Sequence, residues 1–390
     1  MRSSNLPVVT VLLLLVAHYL RADEQLVAAG YGIEKASLAL DSRGRPHIVS
    51  DEGLSGRKVF YSYPDVGGWK TVEIHPQGKA AGITSEPHIA LGKNDSAWIG
   101  LHTASPVDRR DATVSFYRID NISTKPVLGP LTQSVRGTRT HVVTDRDGRL
   151  YVFWRMNTDL FYEMYDIKGE NASAVHRLTN VKVTIPDEEM GLCSNSFDVD
   201  VGPDGLAHGV CTNILGLMYS NSELEAADRG VQMIARGHLV GCEGPYTVPV
   251  IRVDRANPAV VYVLFAGVEN KAYLILKTAT GWKRPVLVAP AGRQQAGRRA
   301  PPALVATPGG GAIAGWMDAR SGNSVVYMRR ISPTGVFGPE AQVTSGQHPR
   351  LAVDGQGIVH VVYTRDGNLY YQKVPALGSA TSPKLTEVSR

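Results

Sequence analysis

Apolar and polar positions alternate with period two along most of the chain, in short runs interrupted by turns that carry Gly, Asp or Asn. That period marks β-strands with one face turned to a core, and the 3.6-residue period of amphipathic helices does not recur beside it. Three runs share one design: residues 37–47 (SLALDSRGRPH), 197–208 (FDVDVGPDGLAH) and 350–360 (RLAVDGQGIVH). Each reads as a strand, a turn and a second strand. With the turn residue as anchor, the unit recurs at Gly44, Asp95, Gly148, Gly205, Asn257, Gly310 and Gly357, in steps of 47 to 57 residues. A separate feature gives the same count: 14 to 22 positions after each anchor an apolar or aromatic residue precedes a tyrosine, at Tyr61, Tyr117, Tyr162, Tyr219, Tyr273, Tyr327 and Tyr371.

A unit of about 50 residues, repeated seven times with turn signals between short strands, has the length of a propeller blade. Each four-stranded sheet buries its faces only against its neighbours. The predicted fold is therefore all-β: a seven-bladed β-propeller of four-stranded antiparallel blades. It occupies residues 23–390 as a single domain, with blades beginning near 36, 87, 140, 197, 249, 302 and 349. The fourth strands are the least regular, and Gly68–Trp69 and Gly281–Trp282 open two of them. Closing the ring requires a strand from one end of the chain, either residues 25–29 or residues 384–388.

Composition agrees with a folded all-β chain: 43% hydrophobic residues, with 40 Gly and 23 Pro spread along the length. Arg2, the apolar run from Val8 to Ala17 and small Ala22 before Asp23 form a secretory signal over residues 1–22. That run is too short to span a bilayer, and no later apolar stretch is long enough, so a secreted or periplasmic protein without a membrane span is expected. The formal charge of +5 includes Arg2 and Arg21 of the signal, which leaves +3, too mild for a dedicated nucleic-acid binder. Three cysteines, Cys193, Cys211 and Cys242, fit no metal-ligand spacing, and no cofactor motif is present. In an oxidising compartment the expected structural disulfide joins Cys193 and Cys211 within the fourth blade.

The repeat also separates scaffold from site. Three residues past the anchor stand His47, Trp98, Tyr151, His208, Val260, Ile313 and His360. Histidines recurring at one position read as packing between blades. Seven residues before the anchor stand Ser37, His88, His141, Asp198, Val250, Ala303 and Arg350, which vary in chemistry and belong at the mouth of the central channel. Five residues before the anchor the chain is often small (Ala39, Ala90, Ala352), as an innermost strand requires. The same face of a propeller receives the ends of the second strands, with His102, Arg155, Asp318, Arg320 and Arg365. The loops entering the first strands bring Arg139, Glu243, Tyr246 and His348 to it. This rim is rich in Arg and His and suits a carboxylate or sulfate held by guanidinium groups.

Residues 315–330 (GWMDARSGNSVVYMRR) resemble a blade of the sialidase-like and BNR-repeat propellers of secreted bacterial proteins, and the resemblance of scaffold extends over all seven units. Sialidases carry Asp-boxes and an Arg-Ile-Pro element. Here residues 144–148 (TDRDG) are out of register with an Asp-box, and Arg-Ile-Pro is absent. The resemblance implies Arg155, Arg320 and Arg365 in the place of an arginine triad, and Tyr246 with Glu243 as a nucleophile pair. The chain is also similar to propeller-type polysaccharide lyases acting on uronates. That likeness implies His102, His141 and Tyr246 as base and acid, with Arg155 neutralising the carboxylate. Three uses of the face follow: recognition of a carbohydrate, acidic in view of the rim; cleavage of a glycan by a sialidase-like hydrolase or a uronate lyase; and a non-catalytic scaffold for a protein partner. The expected ligand is a glycan or polysaccharide and the expected state a monomer.

Overall fold

The computed structural model describes residues 24–29, 35–52, 58–74, 83–104 except 94, 112–156 except 123, 159–179 except 167 and 169–171, 197–226 except 214–215, 231–236, 249–288 except 268–270, 302–375 except 321, and 377. Residues 1–22, expected to be a signal, residues 384–388, Cys193, Cys242, Glu243 and Tyr246 lie outside them.

Seven antiparallel sheets form, five of them simple four-stranded meanders and a sixth, blade five, a meander whose outer strand is split into Gly281–Trp282 and Val286–Leu287, so the fold is the seven-bladed propeller that the repeat predicts. The first strands are Ala36–Leu40, Ile83–Leu91, Thr138–Thr144, Phe197–Val201, Val250–Val253, Ala303–Ala306 and Gln347–Val353. Each first strand lies beside those of the neighbouring blades, and the ring is complete where Gln347–Val353 meets Ala36–Leu40, so these strands line the central channel. The single helix of the described residues is one turn, Ser222–Ala226, after the third strand of blade four.

The anchors are explained by turn geometry. Gly44, Asp95, Gly148, Gly205, Gly310 and Gly357 all have positive φ, between 59° and 88°. This is the left-handed position that closes a hairpin with the hand of the strand twist. In most blades the residue three before the anchor accepts its N–H, as in Gly44 to Asp41 at 2.9 Å and Gly357 to Asp354 at 3.0 Å. Aspartate there also accepts amides of the same turn through its side chain, as Asp41 does from Arg43 and Arg45 and Asp354 from Gln356 and Ile358.

Blade five departs from the predicted register. Its turn is two residues longer, so Val253 pairs with Val261 and Arg252 with Tyr262, as Leu40 pairs with Pro46 and Ala39 with His47. Tyr262, and not Val260, therefore takes the histidine position. The two-residue insertion preserves the alternation of faces, which is why the apolar pattern concealed it.

The core is divided into seven clusters of buried apolar side chains, one for each seam between blades. Seven separate seams explain why the chain reads as alternating strands with no single central run. The two Gly-Trp pairs open fourth strands and reach back across a seam: Trp69 meets the Tyr371 ring at 5.3 Å and Trp282 the Tyr219 ring at 4.8 Å. Ring closure falls to the N-terminal side. Gln25–Ala28 pairs with Asn368–Val374 as the outer strand of blade seven. The clasp is reinforced by Glu24, which receives hydrogen bonds from both Nη atoms of Arg365.

Candidate functional site

The inner strands bring four of the sequence-predicted residues into one array. His88 and His141, at equivalent positions in blades two and three, stack with ring centroids 3.7 Å apart. His141 Nδ1 lies 3.2 Å from Asp198 Oδ1 in blade four. Asp198 Oδ2 accepts from Arg252 Nη1 at 2.7 Å and from the Ile251 amide at 2.9 Å, both in blade five. Because an ionised carboxylate only accepts, His141 donates from Nδ1. Burial alone would raise the Asp198 carboxyl, but the Arg252 charge, the His141 hydrogen bond and the Ile251 amide outweigh it and hold the group well below the ordinary carboxylate range.

Arg350 enters the array from blade seven. Its guanidinium is within electrostatic reach of Asp198 and Arg252, which belong to blades on the far side of the ring, and of Asp51 in blade one. Only a side chain in the channel can face groups three blades away. Arg350 Nε donates to the Ala36 carbonyl at 2.9 Å and Nη1 to the Pro349 carbonyl at 3.0 Å. Burial and the like charge of Arg252 push the guanidinium below its usual value, while the two aspartates act in the other direction.

Backbone geometry at this mouth is unusual in two blades. Arg139 and His348 stand at the same repeat position, two residues before His141 and Arg350, and both adopt positive φ, 50° and 52°. Each lies where strand pairing slips, between Thr138 and Thr140 and between Gln347 and Arg350. A bulge with a non-glycine left-handed residue costs free energy and re-aims the side chains that follow it. Here those side chains are the channel residues. His348 Nδ1 is held at 3.0 Å from Thr364 Oγ1.

The other predicted residues are elsewhere. Arg320 is bound to Asp318, with Nη2 2.5 Å from Oδ2, and to Glu340 at 3.0 Å, and it lies over the Tyr327 ring at 4.6 Å. Arg320 is thus held by side chains of its own blade, on the second, third and fourth strands. Arg365 belongs to the ring clasp, stacked on Tyr370 at 4.2 Å. His102 and Arg155 are half-buried near the ends of their second strands, Arg155 close enough to act on the Cys211 thiol. Cys211 carries a free thiol, which burial pushes up to about 12, while its expected partner Cys193 lies outside the described residues, as do Tyr246 and Glu243.

Sequence reasoning missed Arg252 and Asp51. The signal for Arg252 was present: at the small position five before the anchor, blades four and five carry Asp200 and Arg252 where three others carry Ala. The structure uses that change as an ionic seam. Asp200 Oδ2 accepts from the Val253 amide at 2.8 Å and Oδ1 pairs with Arg255 at 2.9 Å, one step below the Asp198–Arg252 pair. Asp51 gave no signal, since it lies in a second strand and reaches the site only through the fold.

The recurring histidines have a different environment. His47, His208 and His360 each share a hydrogen bond through Nδ1 with the tyrosine of their own blade's third strand, Tyr61 at 2.6 Å, Tyr219 at 2.8 Å and Tyr371 at 2.7 Å. The two repeated features of the sequence thus meet inside one sheet, not across a seam as the pattern suggested.

No family model matches the chain, and no curated protein matches it. Among solved structures it is similar to the BP39L lectin of Burkholderia pseudomallei, at a TM-score of 0.58 and 11% identity over 90% of this chain and 99% of that one. It is also similar to a polysaccharide lyase of the ulvan lyase type bound to a glucuronate–sulfated rhamnose unit (0.55; 9% identity; 90% and 92% covered). An α-L-arabinanase of Penicillium chrysogenum complexed with arabinobiose is a third (0.51; 10%; 92% and 99%). These likenesses show the propeller fold over almost the full length of each partner, and fold alone does not carry activity. Among the described residues no helix is long and apolar enough to cross a membrane.

Proposed function

We propose that this propeller recognises a carbohydrate, an acidic one, at the mouth of its central channel. The observation that carries the reading is the convergence of His88, His141, Asp198, Arg252 and Arg350 from five blades on the inner strands, beside two bulged entries. A buried Asp198 ringed by half-buried ionisable groups is costly for a scaffold, and such clusters collect where a ligand uses them. Solved propellers with this fold include one described as a lectin and one bound to a uronate-containing saccharide, which supports the ligand class. Secretion through the 1–22 signal accords with an extracellular glycan. A glycan array with neutral, uronate and sulfated saccharides tests the reading: selective retention of acidic glycans, abolished in His141→Ala, is expected, and an empty array would overturn it.

One observation favours a second reading, glycan cleavage. His141 is oriented by an ionised Asp198 through Nδ1, the carboxylate–imidazole pairing that orients a general base. Release of reducing ends or unsaturated uronates from polymeric substrates, lost in His141→Ala and reduced in Asp198→Asn, would establish it. Binding without turnover would leave recognition as the function.

A further inference from the structure

Arg350 is the one cation of this array with no contacting carboxylate among the described residues. Asp198 spends Oδ1 on His141 and Oδ2 on Arg252 and the Ile251 amide. Arg252 Nη1 is committed to that carboxylate and to the Ile251 carbonyl. The Lys35 amide donates to Asp51 Oδ1 at 3.2 Å. Arg350, by contrast, has only two carbonyls for partners, and among the described residues it makes no ion pair and Nη2 makes no hydrogen bond. Of the two guanidinium groups only Arg252 contacts a carboxylate, and Asp198 and Asp51 act on Arg350 without forming an ion pair. This half-buried guanidinium keeps its planar fork, which matches an oxyanion, free of any carboxylate among the described residues. The carbonyls of Ala36 and Pro349 fix the stem of the fork and leave its outer edge for a ligand.

We infer that the channel contains an oxyanion site anchored by Arg350, which takes one carboxylate or sulfate group of the bound saccharide. This deepens the carbohydrate reading and rests on it for the identity of the ligand, but the anion site itself is tested separately. Asp198 is neutralised by its pair with Arg252, so it does not repel the incoming anion. Backbone carbonyls hold the anchor, so it needs little reordering on binding, and preorganisation of this kind favours affinity.

The experiment is calorimetric titration of the full chain with sodium glucuronate, its methyl ester and inorganic sulfate, repeated on Arg350→Gln and Arg350→Lys, with thermal melts to verify folding. The wild type is expected to bind glucuronate or sulfate but not the ester. Arg350→Gln is expected to weaken that binding ten- to a hundred-fold, and Arg350→Lys to retain part of it, because the charge survives without the fork. Binding of glucuronate alone identifies a carboxylate site, and binding of sulfate alone a sulfate-ester site. Anion binding unchanged in Arg350→Gln overturns the inference. So does an ester that binds as well as the acid, although the carbohydrate reading then stands. Sulfate binding that depends on Arg350, together with an empty glycan array, keeps the anion site and removes the carbohydrate reading. If Arg350→Gln does not fold, Arg350→Lys decides: wild-type affinity in it shows that the planar fork does not hold the anion and overturns the assignment.

Discussion

Two sets of histidines show how one fold uses the same residue for opposite purposes. His47, His208 and His360 occupy the same position near the lower hairpins of blades one, four and seven, fully buried and each bound to a tyrosine of its own sheet. His88 and His141 stand near the opposite end of inner strands, half-buried, in contact with each other and with an aspartate of the next blade. In the first set, burial excludes charge. It lowers His47 and His208 to about 4, although Asp41 and Asp200 act the other way. In the second set the histidines lie among charges supplied by four other blades. Both sets recur at a repeat position, and what separates them is the partner: a tyrosine of the same sheet for the first, a charged group of the next blade for the second.

Acid should break the comparison most strongly. A histidine whose folded value lies below its unfolded 6.5 stays neutral in the fold while the unfolded chain takes up a proton. Its stabilising contribution is therefore complete above about pH 6.5 and is lost as pH falls toward 4. With two such groups, unfolding in urea is expected to become easier by on the order of 4 kcal/mol between pH 7.5 and pH 4.5, and the change should shrink in His208→Gln. Asp198 acts in a lower window. Its depressed carboxyl contributes above the unfolded value near 3.8 and loses that contribution only in stronger acid.

Next in size is Asp198→Ala. It leaves Arg252 without its carboxylate and the Ile251 amide without its acceptor, and should cost about 3 kcal/mol in chemical denaturation while abolishing saccharide binding. A variant that binds normally would show that the channel array is only a seam. The direct contrast is a pair of substitutions. Tyr219→Phe removes the partner of His208 and should cost about 1 to 2 kcal/mol with saccharide affinity unchanged. His141→Ala should change stability by less than about 1 kcal/mol and remove binding. The reverse pattern would exchange the roles assigned to the two sets. The smallest effect belongs to the clasp. Arg365→Ala removes a partly exposed ion pair with Glu24 and should lower stability by about 0.5 kcal/mol, visible as a small shift in melting temperature.

Among the candidates, His88, His141, Asp198 and Arg350 were legible because a repeat makes its own exceptions visible. Arg320 and Arg365 were not excluded by the same reasoning, because their partners Glu340 and Glu24 come from strands whose pairing the pattern leaves ambiguous. Arg365 is the clearer case: its partner is 341 residues away in sequence and adjacent only because the ring closes there.

The sequence by itself determined the blade, the number of blades and the face on which variation collects. Those properties are written in local chemistry: the two-residue period of strands, and a left-handed turn that recurs because glycine adopts it cheaply. Only the tertiary structure decided that the N-terminal strand closes the ring, that Tyr262 takes the histidine position in blade five, and that Arg252, Asp198 and Arg350 face one channel. The closure and the channel depend on contacts between residues from about 50 to more than 300 positions apart, where no short-range pattern exists to be read, and the place of Tyr262 depends on a turn two residues longer that the period of two conceals.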